Sequence, residues 1–366
     1  MPATPLYHMA LPTVKTLAEC ADFDKTVRPF IPQFFELPQR LLQISSLESL
    51  QTAYTSINPV ISAGAFSLFV GVVAFIVSEI NRNYSQIDRA WSILPALYNV
   101  HYWYWGKLNG IESQRLDAVA LFSVCWSARL TFNYWRKGGY EVGSEDYRWA
   151  IIKKQVNNTP VWTVFNFVFI AFIQSVLLAA VATPTYIMLL TSRVDKALSL
   201  ADTIFPQALG LLLIIEFFAD NQQWTYQNAK KDYQKTAKVP DGFTATELER
   251  GFVTNGLWNY SRHPNFAAEQ AIWVALYQWA CFDTESLINW TFAGAFGYLL
   301  IFQGSTPLTE RITAGKYPEY KEYKARVGRF IPSLATLGQW EKYAIAQEKK
   351  GKTNGTPAAK QTKKSK

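Results

Sequence analysis

The stretch from Trp258 to Glu269, Trp-Asn-Tyr-Ser-Arg-His-Pro-Asn-Phe-Ala-Ala-Glu, crowds a basic pair, a proline, an amide and a carboxylate together. Pro264 suits the first turn of a helix, where its missing N–H costs nothing. The apolar run Phe266 to Phe282 follows at once. Arg262 and His263 then stand at the donor-rich, positive end of that helix, which favours an anion. Asn265 and Glu269 are four residues apart and share one face. In a membrane span that face must line a cavity, because an ionisable group is expensive in hydrocarbon. The plainer alternative is an interfacial helix start whose charges pair with each other.

Three more clusters carry polar groups to the same depth. Glu216, Asp220, Gln223 and Gln227 are spaced four, three and four apart, on one helical face. These acids could also simply pair with Arg262 or Lys231. Arg129, Asn133 and Arg136 follow one another at single-turn intervals beside Trp126, where snorkelling arginines are the structural alternative. Asp88 and Arg89 open an aromatic run that includes Tyr98 and His101. That pair could be no more than an interfacial ion pair, and a histidine on an aromatic span usually packs.

Arginine matches phosphate by its planar fork. Carboxylates and amides match ribose hydroxyls and a carboxamide. Membrane spans match a lipid substrate. This set is the layout for nicotinamide chemistry on a hydrophobic molecule. The glycine fingerprint of a dinucleotide-binding Rossmann fold is absent, so a helical bundle must hold the cofactor. Three cysteines (Cys20, Cys125, Cys281) and three histidines (His8, His101, His263) are too scattered for a disulfide framework or a metal site. The basic residues form no face on a folded element, which argues against nucleic acid.

The elements that must position these groups are membrane helices. Of the 366 residues 49% are hydrophobic and only 17% charged, against about 25% charged in a soluble domain. Apolar runs of near-membrane length fall at 59–80, 87–105, 116–135, 161–183, 203–220, 265–282 and 287–304. The expectation is an all-α polytopic membrane protein of about seven transmembrane helices. Residues 1–58 read as a partly interfacial lead-in, with amphipathic pieces such as Leu37–Leu50. Residues 59–338 form the transmembrane domain and 339–366 a basic tail, disordered from Glu348 on. The chain opens with no signal-peptide pattern. Lysine and arginine crowd 136–154, 221–262 and the end of the chain, while the loops 106–115 and 184–202 hold two each. The positive-inside rule then puts the C-terminus in the cytosol. Lys363 and Lys364, third and fourth residues from the end, look like a dilysine retrieval signal of the endoplasmic reticulum membrane. The net charge of +8 comes mostly from this tail, which could equally touch anionic lipid.

The segment Leu257–Glu269 resembles a signature of the membrane-protein family similar to the C-terminal domain of steroid 5α-reductases. Asp88–Pro95, the Trp126–Tyr134 span, Glu145–Trp149, Ala219–Gln223 and Glu310 to Pro332 resemble it too. The likeness covers roughly 80–335. It implies seven helices and an NADPH-dependent reductase. It implies Asn265 and Glu269 near the nicotinamide or its ribose, and Glu216 and Asp220 on cofactor hydroxyls or amides. Arg129, Asn133, Arg262 and His263 would lie near phosphates or the carboxamide, and Glu310 would contact the cofactor. There are departures. Trp126 stands where the steroid enzymes carry a carbonyl-polarising tyrosine, and an indole is a poor acid. Gln227 replaces an arginine. Asp88 is the nearest counterpart of a glutamate on an earlier span.

The function expected is reduction of a lipid C=C bond by NADPH. Tyr98, Tyr134 or His101 would polarise the carbonyl. One alternative is a methyltransferase of the isoprenylcysteine type using S-adenosylmethionine, which shares Arg-His-Pro. Another is a lipid-binding protein without catalysis.

Overall fold

A computed structural model describes residues 10–353. Every regular element among them is helical, and one isolated backbone bridge joins Ser261 to Gly328. The main helices are α1 (Pro32–Leu42), α2 (Leu47–Ser56), α3 (Pro59–Asn81), α4 (Leu94–Leu108), α5 (Gln114–Arg136) and α6 (Tyr147–Val156). They continue with α7 (Thr159–Val194), α8 (Ala201–Thr236), α9 (Pro264–Asp283), α10 (Phe292–Lys316), α11 (Tyr320–Arg326) and α12 (Gln339–Thr353). Three of them, α3, α7 and α8, are long and apolar enough to cross a membrane by length and composition.

The helix starts follow from local chemistry. The Asn58 side chain accepts from the Val60 N–H, with Pro59 next in the chain. Ser113 accepts from Leu116 N–H at the head of α5, and Asn158 from Val161 N–H at the head of α7. Each such cap satisfies one orphan donor and is worth about 1 kcal/mol.

Several boundaries depart from the sequence reading. The run 87–105 is not one helix: Gln86–Ala90 and α4 are separated by a turn at Trp91–Ile93. The run expected at 287 becomes helical only at Phe292. Residues 184–202, read as a loop, contribute most of a buried helical stretch instead, since α7 continues to Val194. Leu37–Leu50 is split between α1 and α2, and the Ser46 side chain caps the second. Residues 348–353 form the end of α12, and the rest of the tail expected to be disordered lies outside the described residues. His8 and the Lys363–Lys364 pair lie outside the described residues.

The chain divides into two compact units. The first comprises the residues up to Leu213 together with Gln270–Gln303. Its core stacks Trp126 edge-on against Trp273 at 5.0 Å and buries Tyr98, Tyr102, Trp105, Tyr186 and Trp279. The lead-in is part of this core. Tyr186 Oη donates to Thr26 O at 2.7 Å and accepts from Asn58 Nδ2 at 2.9 Å, while Asn58 N–H donates to Gln33 Oε1. Gly294 lets α10 approach α7 closely, because a Cβ there would lie 2.3 Å from the carbonyl oxygen of Ala180.

The second unit comprises Ile214–Glu269 and the residues from Gly304 on. Trp258 Nε1 donates to Ala219 O at 3.1 Å, and Leu257 N–H donates to Gln222 Oε1. Arg262 N–H and His263 N–H donate to Gly328 O and Arg329 O at 2.9 and 3.1 Å. Phe252, Tyr320, Tyr323 and Trp340 form an aromatic cluster beneath.

Candidate active site

In the second unit the acid face of α8 meets the start of α9. Asn265 Nδ2 donates to Asp220 Oδ1 at 3.0 Å, and its own Oδ1 accepts from Phe266 N–H. Glu216 is one turn before Asp220, and Glu269 one turn after Asn265. Glu216, Asp220 and Glu269 are 3%, 3% and 5% exposed. Carboxylates at that burial cannot be solvated, so their hydrogen-bonding partners must come from protein or ligand. Gln227 lies two turns past Asp220, half-buried.

Arg262 and His263 point to a different group. Arg262 Nε and His263 Nε2 both reach Glu310 Oε1, at 2.7 and 3.1 Å. Arg262 also donates to the carbonyls of Lys324 and Val327. Lys324 Nζ stands 3.4 Å from Glu310 Oε2, and Tyr320 Oη 3.4 Å from Oε1. Burial by itself would raise the Glu310 carboxyl. The hydrogen bonds from His263 and Arg262, together with the charge of Arg262, overcome that and hold it well below the usual carboxylate range. Burial lowers His263, and the charges of Arg262 and Arg329 add to this against the pull of Glu310. We take Arg262 as the main counter-charge of Glu310, with neutral His263 donating through Nε2–H. These contacts commit Arg262 and Glu310 to each other and to bracing the chain at 324–327.

The remaining candidates belong to the first unit. Tyr98 and Tyr102 are 1% and 0% exposed, and neither hydroxyl has a hydrogen-bond partner among the described residues. A buried donor without a partner is a cost unless something is bound there. His101 is engaged on both nitrogens: Nδ1 with Tyr54 Oη at 2.6 Å, Nε2 with Pro59 O at 2.9 Å and Ser62 Oγ at 3.2 Å. Asp88 accepts from Trp149 Nε1 at 2.7 Å, while Arg89 donates to Ser144 O at 2.5 Å, so the two neighbours look to other partners. The Tyr134 ring lies edge-on to Tyr140 at 4.9 Å and closes over Gly139, where a Cβ would come within 2.4 Å of it. Arg129 is half-buried on α5, one turn before buried Asn133, whose Oδ1 accepts from Arg136 Nε at 3.0 Å.

Sequence reading missed one buried charge cluster. Arg115 Nε donates to Asp202 Oδ1 at 2.8 Å and stands 3.6 Å from Asp283 Oδ2. Arg115 also donates to the carbonyls of Asp195 and Ala197, and Trp279 Nε1 donates to Asp202. The three charges sit at the ends of three different apolar runs, where each reads as a solvated loop residue. Among the described residues no group of three His, Cys, Asp or Glu could hold a metal ion.

These helices and buried polar groups define an all-helical protein with helices of membrane length. The chain belongs to the family described as "Protein of unknown function (DUF1295)", which matches residues 74–327 and so takes in every candidate from Asp88 to Glu310. It is similar to an uncharacterised protein of Schizosaccharomyces pombe, with 37% identity over 326 residues, 88% of this chain and 93% of that protein. No solved structure matches.

Proposed function

We propose that this chain is a polytopic membrane protein of the endoplasmic reticulum, with about seven spans and a cytosolic C-terminus. We propose further that it reduces a C=C bond of a lipid with NADPH. The observation that supports it is the Asn265–Asp220 hydrogen bond at 3.0 Å, flanked by buried Glu216 and Glu269. Buried carboxylates and an amide on two facing helices fit the hydroxyls and carboxamide of a nicotinamide riboside. NADPH, when bound, supplies the hydride for an electron-poor double bond.

The chain's own residues supply the rest. Asp220 and Glu216 accept hydrogen bonds from hydroxyls, and Asn265 offers both an amide donor and an acceptor. Glu269 fixes the far side of the same face. In the first unit, Arg129 and Asn133 are the cation and the amide that the family resemblance assigns to phosphate. In the first unit, the buried Tyr98 hydroxyl is the candidate donor for a substrate carbonyl. Among the candidate donors, Tyr98 is favoured over His101, whose nitrogens are already occupied.

Trp126 favours a second reading, a lipid-binding protein without catalysis. It is fully buried against Trp273 where the steroid enzymes carry a tyrosine. The deciding experiment titrates NADPH, NADP⁺ and S-adenosylmethionine into the detergent-purified protein and its Glu269→Gln variant. NADPH binding weakened in the variant supports the reductase. Binding of the methyl donor instead supports a methyltransferase, and binding of neither supports the non-catalytic protein.

A further inference from the structure

A cavity rimmed by basic side chains opens beside Glu310. It has a volume of about 550 Å³ and is lined by Arg311, Lys321, Lys324 and Arg329 as well as Glu310. The nearby acids are already committed elsewhere. Glu319 pairs with Arg250 at 3.3 Å and Glu322 with Arg326 at 2.6 Å, while Glu310 takes Arg262. Arg311, Lys321 and Arg329 have no ion pair among the described residues, and Arg329 Nε is buried with no hydrogen-bond partner. Lys324 already stands 3.4 Å from Glu310 Oε2, and the other three cations around this opening repel each other unless a further anion joins them.

Two features say which anion. The cavity is built on the polar end of α10, with Arg311 nine residues beyond Phe302, where the apolar run of that helix stops. Directly after Arg329 come Ile331 and Leu334, which are 81% and 88% exposed. Large apolar side chains beside a basic cluster are the pattern of a surface that enters the headgroup layer of an anionic membrane. A soluble anion would explain the cations and leave Ile331 and Leu334 facing water.

We propose that this cavity binds the phosphate headgroup of an anionic phospholipid, with Ile331 and Leu334 set among the acyl chains beside it. The inference stands independently of the reductase reading. The test reconstitutes the full chain in nanodiscs of phosphatidylcholine containing one-fifth phosphatidic acid or phosphatidylserine, and counts retained lipid by native mass spectrometry. Wild type should retain anionic lipid in preference to phosphatidylcholine. Arg311→Gln/Lys321→Gln should reduce that retention roughly thirtyfold, at about 1 kcal/mol per removed cation. Lys238→Gln, an exposed lysine elsewhere in the same unit, should leave it unchanged. Ile331→Ser/Leu334→Ser should weaken it with the cations intact, which covers the case in which the basic double variant does not fold. Equal retention of neutral and anionic lipid by wild type would overturn the proposal. So would displacement of the lipid by NADPH, since that would make the cavity a cofactor phosphate site.

Discussion

Arg262 Nε meets Glu310 Oε1 at 2.7 Å in a place where the carboxylate has no solvent exposure. The arginine comes from the segment just before α9 and the glutamate from α10, so their pairing fixes the start of one helix against the other. Removing one partner of such a pair strands a buried charge, at a cost of about 3–5 kcal/mol. Glu310→Gln should therefore lower the melting temperature of the detergent-purified protein sharply. Lys324→Met, which removes the half-exposed third cation, should cost under about 1 kcal/mol. Similar melting temperatures for both variants would contradict this account.

The same site makes stability depend on pH. Glu310 is held below the ordinary glutamate value of about 4.3, and His263 below the ordinary histidine value of about 6.5. A lowered folded-state value means that the unfolded chain binds the proton first as pH falls. The stabilisation is therefore complete at neutral pH. It begins to decline below about pH 6.5 through His263, and declines further below about pH 4.3 through Glu310. His263→Gln keeps a donor for Glu310 and should flatten only the upper part of the curve. Urea unfolding at a series of pH values checks this, and a wild-type curve flat from pH 7.5 to 4 would refute it.

Asp220→Asn separates folding from cofactor recognition. An asparagine at 220 still offers Oδ1 to the Asn265 amide, so stability should hold within about 1 kcal/mol. Its negative charge is gone, and hydrogen bonds to charged groups are the stronger ones. NADPH affinity should fall roughly tenfold, corresponding to about 1.4 kcal/mol. Unchanged affinity in a calorimetric titration would remove Asp220 from the proposed cofactor set.

Gly294→Ala tests the close approach of α10 to α7. The new Cβ would sit 2.3 Å from a backbone oxygen that cannot rotate away, so one helix must shift. Overpacking of this kind costs about 1–3 kcal/mol. Gly304→Ala, on the same helix with nothing within 4 Å, should be neutral or slightly stabilising. The difference between the two melting temperatures is the measurement.

The helical class was legible because apolar run length and helix caps are local properties of the chain. Asn58–Pro59 and Asn158 announce α3 and α7 in the sequence itself. Thr183 to Val194 was not legible, because Thr-Pro-Thr reads as a turn and the run after it is too short for a span. What makes it a buried helix is tertiary: Tyr186 hydrogen-bonds the lead-in at Thr26, 160 residues away. For the same reason a proline-dotted N-terminal segment looked peripheral while supplying core residues. In the candidate site, the four-residue spacing found the Asp220 and Asn265 faces, since both lie on helices. The partners of Arg262, His263 and Asp88 were hidden because Glu310 and Trp149 lie 48, 47 and 61 residues away from them. Spacing along one helix says nothing about the element it packs on.

Helices α8, α9 and α10 each begin in one compact unit and end in the other, changing over at Leu213–Ile214, Glu269–Gln270 and Gln303–Gly304. No flexible linker exists at any of these crossings, so a truncation that isolates either unit must sever a continuous helix. Neither unit keeps all its helices whole when the chain is cut at these points. A deletion that removes either half should leave its counterpart as an insoluble fragment.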